Sequence, residues 1–102
     1  MAEKVIDVLV VGASREDAAF FIAALKGSKS KAKLRIARDG VQALSLIFGA
    51  RNPDKAVPLV RPKVILLDLK LSKASDLELL RKLKANPHTG TIPVVDLSAG
   101  EA

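Results

Sequence analysis

The chain has 102 residues, enough for one domain with a single small core. Apolar residues make up 49% of it and aromatic residues 3%, which favours a folded domain with an aliphatic core. With no cysteine and one histidine, His88, the chain has neither a disulfide framework nor a multi-histidine zinc site. The start lacks a signal-peptide pattern, and the longest apolar run, residues 18–25, is shorter than the ~20 residues of a membrane span. We therefore expect a soluble cytoplasmic protein.

The net charge of +6 is concentrated in one basic segment. This segment has no acidic residue, and its basic residues are Lys26, Lys29, Lys31, Lys33, Arg35 and Arg38. Such a segment can attract nucleic acid or an acidic partner, but lysines are also common at the solvated edge of a sheet. Because no aromatic residue interleaves the segment, the edge interpretation is favoured and nucleic-acid binding stays an alternative.

The first half of the chain alternates strand and helix signals. Residues 5–11, an apolar run rich in valine, predict a buried strand. Ser14 has the position of a helix N-cap, and a helix is predicted over 15–26, ended by a glycine. Residues 33–37 alternate apolar and basic side chains, which indicates a second strand with one wet face.

The same alternation continues in the second half. Asp39 and Gln42 form a second cap signal, and a helix is predicted from there to Gly49. Three prolines between residues 51 and 62 indicate a loop, and residues 64–67 predict a third strand.

The last predicted helix begins at a capping box, in which Ser75 is the N-cap and Glu78 its partner. Leucines at helical spacing follow, and an Asn-Pro pair is expected to end the helix. Residues 92–97 predict a fourth strand. The order βαβαβαβ predicts a parallel sheet with right-handed crossovers, whose sites lie at the carboxyl ends of the strands. Those ends are residues 12–14, 38–40, 68–70 and 98–100.

At these ends the sequence resembles the receiver domain of bacterial response regulators. The similar segments are VLVVGASREDA, IARDGVQAL, RPKVILLDLKLSKASDLELLRKLK and NPHTGTIPVVDLSAGE, which together span essentially the whole chain. The long proline-containing loop before the third strand is most similar to the phytochrome-associated receiver subgroup. The resemblance implies a three-layer, flavodoxin-like α/β fold with a parallel sheet in the order 2-1-3-4.

The resemblance also implies phosphoryl transfer from a histidine kinase to an aspartate beside a bound Mg²⁺. Asp68 matches the phosphoacceptor, Ser98 the switch hydroxyl and Lys70 a position that modulates the site. The metal-binding acidic pair of the family falls at Gly12 and Ala13, and neither residue can ligate a metal.

Two further positions depart from the family pattern. The family's glycine at the start of the third helix is Asp76 here, and the lysine that follows its fifth strand has no counterpart. We therefore expect no catalytic residue and no cofactor, with Mg²⁺ required only if Asp68 accepts a phosphoryl group.

A complete receiver has five strands and five helices, whereas residues 1–102 predict a single truncated domain without the fifth strand and the last helices. The first helix is apolar on both faces, and a helix of this kind is usually buried on both. The fourth strand becomes an edge, so we expect an interface with a second chain there and on the first helix. The predicted interface residues are Ala19, Phe20, Ala23, Ala24, Val95 and Asp96.

The sequence thus predicts a degenerate, non-enzymatic receiver that acts in phosphorelay signalling as a protein-interaction module, as a homodimer or with another signalling protein. The alternative is a functional phosphoacceptor receiver that uses Asp68, and the third possibility is a basic nucleic-acid-binding protein. A nucleotide-binding enzyme is weakly indicated by Gly12, because the other glycines of the dinucleotide fingerprint are missing.

Overall fold

The computed structural model describes residues 6–12, 15–27, 32–67 and 74–96. Its elements in chain order are β1 (Val8–Val11), α1 (Arg15–Gly27), β2 (Leu34–Ala37), α2 (Gly40–Phe48), β3 (Val64–Leu67), α3 (Ala74–Ala85) and β4 (Val94–Asp96). The strands pair in parallel in the order β2-β1-β3-β4. The predicted fold class and strand order are therefore confirmed.

The helices are divided between the two faces of the sheet. The chain passes from β1 to β2 in one direction, then crosses back over β1 to β3 and continues to β4. Because parallel crossovers are right-handed, the first crossover places α1 on one face and the later two place α2 and α3 on the other. The two helices α2 and α3 pack against each other, and α2 also contacts β1 and β2, whereas α1 contacts β2.

The face under α2 and α3, called the closed face below, carries the main hydrophobic core. Its strand residues are Leu9, Val11, Ala37, Ile65 and Leu67, each at most 1% exposed. They pack with the helix residues Ala43, Ile47, Phe48, Leu79 and Leu83. The core therefore sits between the sheet and the α2–α3 pair.

The opposite face, called the open face below, is less well covered. Because side chains alternate along a strand, it carries Val8, Val10, Leu34, Ile36, Val64, Leu66 and Val95. Val10 in the centre is buried, but the surrounding residues are half-buried and Val95 is 47% exposed. One layer of apolar strand residues thus keeps contact with solvent.

The element ends agree with the sequence at α2 and differ at α3. Asp39 is the N-cap of α2, its Oδ1 accepts from the Gln42 N–H at 2.9 Å, and Gly49 at φ 66° ends the helix, as predicted. In contrast, α3 begins at Ala74, so Ser75 lies inside its first turn. The carboxylate of Glu78 pairs with Arg81 and Lys82 instead of capping the helix. The predicted capping box is therefore wrong.

Two strands are shorter than their apolar runs. The strand β1 begins at Val8, although the backbone of the preceding Asp7 already forms hydrogen bonds with Lys33 and Lys63. The fourth strand begins at Val94, after a proline that has no N–H to donate. An apolar run therefore predicts which residues are buried more reliably than it predicts the first residue of a strand.

The proline-containing loop is fixed to the end of α3 by a buried asparagine. The Asn86 Nδ2 donates to the carbonyls of Pro53 and Ala56, both at 2.9 Å. The neighbouring Thr89 is fully buried, and its Oγ1 donates to the Leu83 carbonyl at 2.8 Å. These bonds make the loop part of the closed face.

Asp7 joins three strands at the amino edge of the sheet. Its Oδ2 accepts from the Lys33 N–H at 2.7 Å, and its Oδ1 lies 3.5 Å from the Lys63 ammonium. The hydrogen bond from the Lys33 backbone is the main cause of a lowered pKa for Asp7, and the Lys63 charge lowers this pKa further while burial opposes the change. The ionised carboxylate is therefore the form that the fold favours.

Candidate functional site

The carboxyl edge of the sheet brings together the end of β1, the end of β2 and the first turns of α2 and α3. Gly12 follows β1 and donates its N–H to the Ala37 carbonyl at 3.0 Å. Its φ of +81° is a conformation that side chains with a β carbon rarely adopt. This geometry explains a glycine at the strand end on steric grounds.

Gly40 allows α2 and α3 to approach closely beside this edge. A β carbon on Gly40 would lie 2.0 Å from the carbonyl oxygen of Ser75 and 2.9 Å from the Asp76 nitrogen. Both atoms belong to the backbone, so they cannot move aside as a flexible side chain can. The contact between the first turns of the two helices therefore requires glycine at this position.

Asp76 places a buried carboxylate between these two glycines. The residue is 3% exposed, and its Oδ1 accepts from the Gly40 N–H at 2.6 Å. Its Oδ2 lies 3.5 Å from the point where a β carbon of Gly12 would be. A charged residue that the sequence presents only as a departure from the family pattern is thus at the centre of the edge.

The remaining polar groups at the start of α2 form a local hydrogen-bonded set. Asp39 accepts from the Gln42 N–H, and the Gln42 side chain in turn accepts from the Arg38 N–H at 2.5 Å. Asp76 accepts a hydrogen bond from the Gly40 N–H, so two separate carboxylates act as acceptors for amides that have no acceptor within the helix.

Several predicted site residues lie outside the described residues. These are Asp68, Lys70, Ser98 and Ala13. The described strands do show that Val11 and Leu67 are in register, so β1 and β3 end at the same level. Of the predicted metal-site positions the structure places Gly12, and among the described residues it brings Asp76 next to it.

The described residues do not fit the Mg²⁺ that the fold family implies. Magnesium takes oxygen ligands in near-octahedral geometry, usually with one or two carboxylates. Gly12 has no side chain, and Asp76 already uses one carboxylate oxygen for the Gly40 N–H. Among residues 6–12, 15–27, 32–67 and 74–96, no group of three or more His, Cys, Asp or Glu side chains could hold a metal ion.

The predicted interface residues lie in three different settings. On α1, Phe20 is 70% exposed, and the alanines of the same face, Ala19, Ala23 and Ala24, are exposed with it. Val95 belongs to the open face, in register with Leu66. Asp96 is in register with Leu67, so its side chain belongs to the closed side of the strand.

A groove opens at the amino end of the open face. It has a volume of about 460 Å³, and its walls are formed by Val8 and Val64 with Ala32, Asp7 and Lys63. The two valines belong to the half-buried row described above, so the groove borders the open face at its amino end.

The other candidate residues carry no comparable arrangement. His88 is exposed in the turn after α3, where its N–H donates to the Asn86 side chain at 2.8 Å. Three residues of the basic segment, Lys33, Arg35 and Arg38, are exposed around the edge strand β2. No helix among the described residues is long and apolar enough to cross a membrane.

Comparisons with known proteins agree on one family. The sequence is 35% identical over 91 residues to "Response regulator Rcp1" of Synechocystis sp., a match that covers 89% of this chain and 60% of that protein. No family model matches the sequence. The chain spans about three fifths of the length of this curated relative.

Solved structures give the same result. The fold is similar to the bacteriophytochrome response regulator AtBRR, with a TM-score of 0.64, 29% identity, and coverage of 91% of this chain and 66% of that one. It is also similar to the bacteriophytochrome response regulator RtBRR, with a TM-score of 0.64, 33% identity, and coverage of 89% and 54%.

Proposed function

Because this chain belongs to the receiver family of response regulators, and within it is similar to the phytochrome-associated receivers, we propose that it acts in two-component signalling as a protein-interaction module. The open face of the sheet and the outer side of α1 form the contact surface. The proposal rests above all on Phe20, which is 70% exposed on α1, together with the half-buried apolar strand residues of the open face.

The carboxyl edge supports a module that works without being phosphorylated. Phosphoryl transfer depends on positioning and on neutralising the charge of the transferred group, usually by Mg²⁺. Gly12 and Ala13 supply no carboxylate for the ion, and the Gly40 N–H engages Asp76. On this proposal the domain needs no Mg²⁺, has no enzymatic activity, and does not use Asp68 as a phosphoacceptor.

The surface has the chemistry of a protein contact. Phe20 and Ile22 are exposed large apolar residues on α1, and Val95 is exposed on β4. The small alanines beside Phe20 allow another helix to approach closely. Monomeric proteins rarely expose large contiguous apolar patches, and such patches usually mark contact sites.

A second copy of this chain is the occupant that we propose first, with another signalling protein as the alternative. Two copies that meet through the same surface would bury Phe20 against the small alanines of the partner, as a two-fold symmetric contact requires. This contact would also cover the half-buried strand residues of the open face.

Sedimentation velocity at micromolar concentrations tests the contact. We expect a dimer for the natural sequence and at least about a tenfold weaker dimer for Phe20→Glu, because a charge is placed at the centre of an apolar contact. Val41→Glu is the matched control, since Val41 is equally exposed but lies on α2, and it should leave the dimer unchanged. A monomeric natural protein, or equal effects of the two variants, would contradict the homodimer.

Incubation with acetyl phosphate and Mg²⁺ tests the other half of the proposal. We expect no mass increase of the intact protein. A phosphoryl group that appears on the natural chain and is absent from Asp68→Asn would instead establish the phosphoacceptor alternative. The two experiments are independent, so a phosphorylated dimer would refute only the claim of inactivity.

A further inference from the structure

The buried carboxylate of Asp76 is the feature of the carboxyl edge that the proposed function does not explain. We infer that Asp76 and Gly12 form a compensating pair, in which a carboxylate from α3 holds the first amide of α2 and occupies the space beside position 12. The inference concerns how the edge is built, so it holds whether or not the domain is phosphorylated and whether or not it dimerises.

The first half of the pair is the hydrogen bond to α2. The first amides of a helix have no acceptor within the helix, and a buried amide without an acceptor is costly. Asp39 serves the Gln42 N–H, which leaves the Gly40 N–H to the Asp76 carboxylate at 2.6 Å. Asp76 is therefore a positioning residue that joins the first turns of α2 and α3.

The second part of the inference concerns the space beside Gly12 at the end of β1. A β carbon at Gly12 would lie 3.5 Å from the Asp76 Oδ2, which is an ordinary contact distance. The further atoms of a longer side chain would therefore have this oxygen as their immediate neighbour. A carboxylate at position 12 would also place a second negative charge close to the buried Asp76 carboxylate, and the two like charges would repel each other. An acid at position 12 and Asp76 should therefore exclude each other.

Amide hydrogen exchange tests the bond to Gly40. In the natural protein we expect protection of the Gly40 amide. In Asp76→Ala this amide should exchange at least about tenfold faster, because its buried acceptor is removed. Asp76→Asn keeps a carbonyl oxygen, so the Gly40 amide of this variant should exchange at a rate between those of the natural protein and Asp76→Ala. The Ala43 amide, which donates to the Asp39 carbonyl at 3.0 Å, is the internal control. Equal protection of Gly40 in all three proteins would overturn the inference.

A double-mutant cycle tests the exclusion at position 12. We expect Gly12→Asp to lower the folding equilibrium constant, and to lower it on the order of tenfold less when Asp76→Gly is also present. The same substitution beside Asp76→Asn separates charge from size, since the amide keeps the size of the carboxylate without its charge.

Gly12→Ala is the control for backbone strain. Gly12→Ala should lower the folding equilibrium constant by the same factor in the natural background and in the Asp76→Gly background, because the strain of a positive φ is local to the residue. A cost of Gly12→Asp that does not depend on residue 76 would refute the pair. A Gly12→Asp variant that folds in neither background would refute the exclusion in the same way, and the Gly40 amide measurement would then test the bond to α2 alone.

Discussion

Both faces of the sheet have apolar strand residues at their centre, yet one is closed and the other is open. On β3, Ile65 is fully buried under α2 and α3, while its neighbour Leu66 on the open face is half-buried. The difference lies in the helices, because α2 and α3 pack together at a glycine contact and cover one face as a pair, whereas α1 lies on the other face. Coverage of a sheet therefore depends on helix pairs, which the strand sequence does not specify.

The largest expected effect compares two neighbouring residues of β3. Ile65→Ala should lower the free energy of unfolding by about 2–5 kcal/mol, because it leaves a cavity in the closed core. Leu66→Ala should cost clearly less, since part of that side chain is already in water. Chemical denaturation of both variants measures the difference. Equal costs would show that the open face is covered in solution, and a difference that shrinks with protein concentration would show that association covers it.

A single methyl group at the helix contact should have the next largest effect. Gly40→Ala should cost about 3 kcal/mol, the upper part of the range for overpacking, because the new β carbon meets backbone atoms of α3. Gly27→Ala is the matched control, since nothing lies within 4 Å of its added β carbon. Thermal unfolding should show a large loss for the first variant and little change for the second. Similar melting temperatures would mean that α2 and α3 do not meet at Gly40.

The buried asparagine that fixes the loop to the closed face should have a smaller effect. Asn86→Ala should cost about 1–3 kcal/mol, because the carbonyls of Pro53 and Ala56 lose their donor. Lys55→Ala, at an exposed position of the same loop, is the control. Limited proteolysis should then cut the loop faster in Asn86→Ala than in the control. Unchanged cleavage would show that the prolines alone hold the loop.

The smallest expected effect is a pH dependence at the amino edge. The folded state lowers the pKa of Asp7 below its ordinary value of 3.8, chiefly through the Lys33 N–H. The stabilisation is therefore complete above the unfolded pKa, and it is lost as the pH falls from about 4 through the lower folded pKa.

Denaturation midpoints at several acidic pH values check this prediction. Asp7→Asn should reduce the loss of stability on acidification, because the titrating group is removed. Lys63→Ala should keep most of the loss, since the backbone donor at Lys33 is the larger cause of the lowered pKa. An acid slope that Asp7→Asn leaves unchanged would contradict the assignment.

Much of the fold could be predicted from residue patterns, whereas the capping of α3 could not. Asp39 and Gln42 carry the signal of a helix start, and the helix begins at that point because their bonds are local. Ser75 and Glu78 carry a similar signal, but Glu78 pairs with basic residues one turn later. Asp76, which lies between them, accepts a hydrogen bond from the N–H of Gly40. Because Gly40 is distant in sequence, local spacing could not predict this bond.

The candidate site follows the same division. Gly12 at a strand end could be read from the sequence as a position without a metal ligand. Nothing in the sequence places Asp76 beside it, because the two residues are brought together by two crossovers. The sequence signal that could have indicated this contact is an acidic residue in the predicted first turn of one helix together with a glycine at the predicted start of another.

By itself the sequence determined the alternation of strands and helices, since this follows from periodicity and glycines, and the resemblance of its motif segments to receiver domains implied the strand order of the parallel sheet. The tertiary structure decided which apolar residues stay in contact with water and which carboxylate occupies the carboxyl edge. Burial and long-range hydrogen bonds depend on which elements meet in space, and a local pattern contains no information about that contact.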